Sequence, residues 1–240
     1  LCLALEGLNA TLKRPLSFGA NFRIIPGQEM DSIFSALKKA NFRFVQMGLE
    51  SGSEKLRREV LRRNYSNDDV IHVVGSARKQ GLQVGLFNLI GIPGETFSDF
   101  KETVRMNRLC RPDWNYAYIF YPYPGTDLHL LCKKQGLLPK MLDPRNERYK
   151  ARLDLPGFPR KKIQESLRYF DCYVYDGVDP EDRWRSSLFK WKRVLIDYWY
   201  GVDRGILRTP VLRNVRSLAR KLYRAWIRKN HKTSACPRRS

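Results

Sequence analysis

Between Ala20 and Tyr121, short apolar runs alternate with amphipathic stretches, and no other feature of the chain narrows its fold so far. Ala20 to Ile25 (ANFRII) reads as a strand. Met30 to Lys39 follows as a helix with Ile33, Phe34 and Leu37 on one face. Arg43 to Leu49 reads as a second strand and Ser53 to Arg63 as a short basic helix. Ser66 caps the next helix with Asp69 as its capping-box partner; Val70, Ile71, Val74 and Ala77 form its apolar side, and Gly81 stops it. Leu82 to Ile90 is almost wholly apolar, as a strand covered on both faces would be. Thr96 caps a helix whose apolar side carries Phe97, Phe100 and Val104, and Tyr116 to Tyr121 is the fourth strand. Strands joined by helical crossovers are parallel, with right-handed connections. The fold class is therefore α/β, either a doubly wound sheet or part of a (β/α) barrel.

The 240 residues suit one α/β domain with an appendage, and a 42% hydrophobic content is enough for a packed core. Residues 1–138 are expected to form the α/β unit. The start, LCLALEGLNATLKR, reads as the middle of a helix and shows no secretory pattern. From Pro139 the text turns charged and Pro-rich, so 139–160 reads as a linker. Residues 161–240 then read as a helical, basic extension. It has a helix at Lys161–Tyr175, an aromatic and basic stretch at Glu181–Tyr200, an amphipathic helix at Pro210–Arg228 and a disordered tail.

Net charge is +21, with 45 Lys and Arg against 24 Asp and Glu, and the excess is concentrated after Gly201. Such a balance admits a nucleic-acid partner, an anionic membrane surface or a plain solvated surface. No apolar run reaches the ~18 residues of a transmembrane segment. Cys2, Cys110, Cys132, Cys172 and Cys236 are scattered, with no two close enough for one loop to present them to a metal or cluster. Neither zinc motif nor disulfide framework is present, which points to a reducing, cytoplasmic setting. His72, His129 and His231 pair with nothing at ligand spacing.

Three loops fall at strand C-terminal ends: GLESGSE (Gly48–Glu54), GIPGET (Gly91–Thr96) and YPYPGT (Tyr121–Thr126). Ligands of parallel α/β folds lie at that edge of the sheet. Taken singly, each loop is ordinary turn chemistry. Their order and spacing together carry more.

The run FVQMGLESGSEKLRREVLRRNYSNDDVIHVVGSARKQGLQVGLFNLIGIPGETFSDFKETV, followed by YIFYPYPGTDL, resembles the C-terminal half of the radical S-adenosylmethionine (SAM) core. The likeness runs from Ala20 to about Gly136. It is greatest to the group that often carries a cobalamin-binding domain upstream, and the pattern is shared with methylthiotransferases and oxygen-independent coproporphyrinogen oxidase. The resemblance implies a partial (β/α)6 barrel, of which this chain supplies strands three to six. It also implies SAM as cofactor, a 4Fe-4S cluster held by a CxxxCxxC loop that this sequence does not contain, a small-molecule substrate, and possible use of cobalamin.

By the same resemblance Glu50 meets the ribose or amino-acid part of SAM, with Ser51 and Ser53 beside it, and Arg62 reaches its carboxylate. Asn88, Leu89, Ile90, Gly91 and Pro93 correspond to the strand end and loop that contact adenine. Glu95 reads as a first-turn acid favoured by the helix dipole. Tyr121 and Tyr123 stand on the substrate side. A second reading is an RNA-binding or RNA-modifying protein that uses the basic C-terminal region, where Trp184, Trp191, Trp199 and Trp226 interleave with Arg and Lys. The isolated chain is expected to bind SAM weakly and to cleave none, because four barrel strands leave an edge and apolar faces uncovered.

Overall fold

The structure, a computed structural model, describes residues 1–145 and 147–181. The expected aromatic stretch, amphipathic helix and tail beyond residue 181 lie outside the described residues. The elements run α1 (Cys2–Thr11), β1 (Phe18–Phe22), α2 (Asp31–Lys39), β2 (Phe42–Glu50), α3 (Glu54–Glu59) and α4 (Asn67–Lys79). They continue with β3 (Gln83–Ile90), α5 (Phe97–Cys110), β4 (Trp114–Ile119), α6 (Asp127–Lys134) and α7 (Arg160–Tyr175). The four strands form one sheet in the order β1-β2-β3-β4, and every pairing is parallel. The expected α/β class holds.

The two faces of the sheet differ. Val45, Met47 and Leu49 of β2 and Val84, Leu86 and Ile90 of β3 are fully buried. The first five of these join Phe34 and Leu37 of α2, Val70, Val73, Val74 and Ala77 of α4 and Met106 and Cys110 of α5 in one core. Period-2 alternation places Phe44, Gln46, Gly48 and Glu50 on the other face, with Gly85, Phe87 and Leu89 of β3 and Trp114, Tyr116 and Tyr118 of β4. These residues are half-buried, apart from the buried Gly85. Glycines leave room on that face for large rings. A Cβ on Gly19 would lie 2.1 Å from the Phe44 ring, and one on Gly85 would lie 2.4 Å from the Trp114 indole.

Helix ends follow the sequence. Ser66 and Thr96 complete capping boxes with Asp69 and Asp99. Element bounds shift by a few residues from expectation. β1 begins at Phe18 and ends before Arg23, and β4 begins at Trp114 and ends at Ile119. The helix expected over 53–63 is only one and a half turns, because the chain turns left-handed at Arg62 (φ 53°). On α4, Val73 rather than Ile71 joins the core, and Ile71 is 41% exposed.

The stretch 139–160 is not a linker. Ala151, Leu153, Leu155 and Phe158 are buried, and Phe97 N–H donates to the Gly157 carbonyl at 3.0 Å. A Leu155–Phe158 bridge closes a tight turn that sets Phe158 against Phe97 and Phe100. α7 then packs on α5 through Phe170 and Tyr173, and Arg108 ties its end down through the Tyr173 and Val178 carbonyls. Charge and proline made this stretch look like a connector, yet its apolar residues cover the second site loop. Leu1–Pro180 is one unit.

Candidate functional site

Parallel pairing puts the C-terminal ends of β2, β3 and β4 at one edge, and contacts knit the three loops together there. Gly52 N–H donates to the Thr103 hydroxyl of α5 at 2.8 Å. Phe120 N–H donates to the Ile90 carbonyl at 2.8 Å. Arg62, after α3, pairs with Asp127 at the start of α6 at 3.1 Å. Gly52 is required at its position, because a Cβ there would lie 2.3 Å from the Glu102 backbone.

Glu50 occupies the turn out of β2. The register of β2 against β3 slips between Gly48 and Glu50. Ser51 N–H reaches back to the Leu49 carbonyl at 2.8 Å, closing a three-residue turn around Glu50, whose φ is 61°. A left-handed non-glycine residue is strained, and such strain persists only where neighbours fix it. The carboxyl folds over Gly48, where a Cβ would lie 2.4 Å from its Oε1. It therefore sits on the open face of the sheet. Burial raises its pKa above the ordinary carboxylate value, and the Arg63 charge opposes that rise.

Arg57 holds this turn. Its side chain is fully buried and donates to the Ser51 carbonyl, to the Tyr65 carbonyl (3.2 Å) and to Asn67 Oδ1 (2.8 Å). The guanidinium lies 4.9 Å over the Tyr65 ring. Tyr65 in turn donates its hydroxyl to the Gly48 carbonyl at 2.8 Å, directly beside Glu50. Sequence reasoning passed over Arg57 and Tyr65. Arg57 sits in the run KLRRE, where nothing in the text separates it from the solvated Arg58.

The second loop is held by Glu95, which is not a solvated first-turn acid. It is 1% exposed and lies before the Thr96 cap. Its Oε2 accepts from the N–H groups of Gly91 and Ile92, while Oε1 has no partner. Burial pushes its pKa up to about 8 against the lowering effect of the two N–H donors. Gly91 takes φ 83°, and Pro93 is buried in the same turn.

The remaining residues singled out in the sequence divide by face. Leu89 joins Glu50 on the open face. Asn88 and Ile90 are fully buried on the helix face, where Asn88 exchanges amide hydrogen bonds with Asn107. Their side chains are thus committed to packing, which leaves their backbone groups for the ligand role the resemblance implies. Ser51 and Ser53 are buried as well: the Ser51 hydroxyl accepts from Ser53 N–H, and the Ser53 hydroxyl caps α3. Arg62 is 79% exposed at its side chain and faces Asp127, so the cation acting on Glu50 is its neighbour Arg63. Tyr121 is buried, whereas Tyr123 is 43% exposed and donates to Glu147 at 2.6 Å.

A row of parallel strands with ligand-sized loops at one edge and aromatic rings on an open face is the make-up of a (β/α)-barrel segment. Residues 10–106 match the family model described as the radical SAM superfamily. Over 103 residues the chain is 29% identical to tRNA-2-methylthio-N(6)-dimethylallyladenosine synthase of Buchnera aphidicola subsp. Baizongia pistaciae, covering 40% of this chain and 23% of that protein. It is 33% identical over 92 residues to threonylcarbamoyladenosine tRNA methylthiotransferase of Danio rerio, covering 38% of this chain and 17% of that one. The chain thus spans less than a quarter of the length of either relative. Its fold is similar to that of the radical SAM methyltransferase TsrM of Kitasatospora setae, solved with cobalamin and a [4Fe-4S] cluster. That likeness has a TM-score of 0.53 and 15% identity, and covers 75% of this chain and 40% of TsrM. The expected likeness to cobalamin-domain proteins is therefore narrowed. The curated relatives named here are tRNA methylthiotransferases, and cobalamin enters through the fold of TsrM alone.

Proposed function

We propose that this chain supplies the SAM-holding edge of a radical SAM enzyme. The observation that carries the reading is the Glu50 turn: a strained, left-handed carboxylate aimed over Gly48 onto the open face, with Arg63 beside it and the Gly91 loop next along the edge. A carboxylate accepts from ribose hydroxyls or an ammonium, and a guanidinium pairs with a carboxylate. Leu89 offers apolar contact to a ring at the same edge. When bound, SAM supplies the sulfonium whose carbon–sulfur bond such enzymes break. Arg57 and Tyr65 fix the turn, Glu95 fixes the adjoining loop, and the Arg63 charge opposes the rise that burial gives the Glu50 pKa.

The residues described here do not fit an iron–sulfur cluster. Among them no three His, Cys, Asp or Glu side chains are grouped as metal ligands, and Cys110, Cys132 and Cys172 are each buried on separate helices. No step is assigned to that group on this chain. A second reading, action on RNA, is favoured by the names of the tRNA-modifying relatives and by the +21 charge. Use of cobalamin would rest on the TsrM fold alone.

Equilibrium dialysis of the 240-residue chain with radiolabelled SAM tests the first reading. Saturable binding is expected, weakened about tenfold or more in Glu50→Gln and Arg63→Gln by loss of a charge-assisted contact, and unchanged in Arg62→Gln. Equal affinity in all four proteins, or no binding at all, would reject it.

A further inference from the structure

Resting on that reading of the site, we propose that Thr103 of α5 is a positioning residue that sets where Glu50 stands relative to the Gly91 loop, through the hydrogen bond its hydroxyl accepts from Gly52. A ligand that touches both Glu50 and the Gly91 loop needs the spacing between them fixed. Arg57 and Tyr65 hold the Glu50 turn from within the same β2–α4 connection, so they give the turn its shape. Its placement against the next loop has to come from another element. The β2–β3 register slips between Gly48 and Glu50, so the regular ladder loosens its hold there.

α5 takes over that hold. The helix starts straight out of the Gly91 loop. Glu95 N–H donates to the Ile92 carbonyl and Thr96 N–H to the Asp99 carboxylate, both at 2.9 Å, so loop and first turn form one piece. Asp99, Thr103 and Asn107 recur at every fourth position and make one row along the helix. Each member holds a different part of the site edge. Asp99 is hydrogen-bonded to the Ser53 side chain as well as to Thr96. The Thr103 hydroxyl accepts from Gly52 N–H at 2.8 Å and donates to the Asp99 carbonyl at 3.2 Å. Asn107 donates to the Thr103 carbonyl at 2.8 Å and to Asn88 Oδ1 of β3 at 2.7 Å.

Thr103, Asn107 and Asn88 are fully buried, so water cannot replace a bond that one of them loses. Thr103 is the member closest to Glu50. A Cβ on Gly52 would lie 2.3 Å from the Glu102 backbone and 2.4 Å from the Thr103 nitrogen, so the backbone of the turn rests directly on the helix. Gly52 follows Glu50 by two residues, and Ser51 N–H is already closed onto the Leu49 carbonyl. Little slack is left between the Thr103 hydroxyl and the Glu50 carboxylate.

The test compares Thr103→Val, which keeps the shape and removes the hydroxyl, with Thr103→Ser, which keeps the hydroxyl. One readout needs no SAM: the titration midpoint of Glu50 by carboxyl carbon NMR, assigned with Glu50→Gln. Thr103→Val should let the turn relax and the carboxyl gain water, so the midpoint falls toward the ordinary carboxylate value. SAM affinity by dialysis should weaken about tenfold, the size of one buried hydrogen bond. Thr103→Ser should restore both values. A loss of stability alone moves neither the Glu50 midpoint nor the affinity of the folded chain. An unmoved midpoint in Thr103→Val overturns the proposal, as does a Thr103→Ser chain as impaired as Thr103→Val. A moved midpoint with unaltered SAM affinity overturns it too. A moved midpoint in a protein whose wild type binds no SAM supports the placement of Glu50 and removes only the reading of the site. Should Thr103→Val fail to fold, Thr103→Cys, whose thiol is a weak acceptor, is read by the same two measurements.

Discussion

Replacing Glu95 by Gln should flatten the pH dependence of this protein's stability. The carboxyl is buried between Gly91 and Ile92 N–H on one oxygen and nothing on the other. Burial, the largest influence, raises its pKa from 4.5 to about 8. The folded chain therefore holds a proton that the unfolded chain has released over that window. Stability from this group is whole below about pH 4.5 and is lost as pH rises through about 8. At about 1.4 kcal/mol per unit, the full window is worth at most about 5 kcal/mol. Gln keeps an acceptor for the two N–H groups and never ionises. Urea unfolding followed by tryptophan fluorescence, at about pH 5.5 and about pH 8.5, reads the effect. The variant should gain on the wild type by about 3 kcal/mol between those conditions. Parallel pH profiles for the two proteins would refute the reasoning, since every other titrating group is common to both.

Arg57→Met should cost roughly 3 kcal/mol or more in thermal or urea unfolding, because it leaves the Ser51 and Tyr65 carbonyls and Asn67 without their buried donor. Arg57→Lys should not restore it, since one ammonium cannot span three acceptors in the guanidinium's planar fork; an unchanged midpoint in either variant contradicts the role given to this side chain. Gly48→Ala should separate function from folding. The new Cβ meets only the flexible end of Glu50, so stability should change by less than ~1 kcal/mol. SAM affinity should nevertheless fall as the carboxyl is displaced, and dialysis showing unaltered affinity would argue against Glu50 as a contact.

The sequence by itself determined the parallel α/β layout. Period-2 and helical periodicity, together with the Ser66 and Thr96 capping boxes, are local signals, and local signals survive without tertiary context. It also marked the three loops, because glycine, proline and capping residues announce turns wherever they stand. What it could not determine was direction and partnership. Asn88 and Leu89 are adjacent letters, yet the pleat sends one to Asn107 beneath the helices and the other to the open face. Arg57, Arg58, Arg62 and Arg63 read alike, and only the fold buries the first, frees the third toward Asp127 and sets the last against Glu50. Residues 139–160 looked like a tether because composition reports polarity, not what the few apolar side chains cover. Burial and charge pairing depend on residues distant in sequence, so the three-dimensional packing alone assigned them.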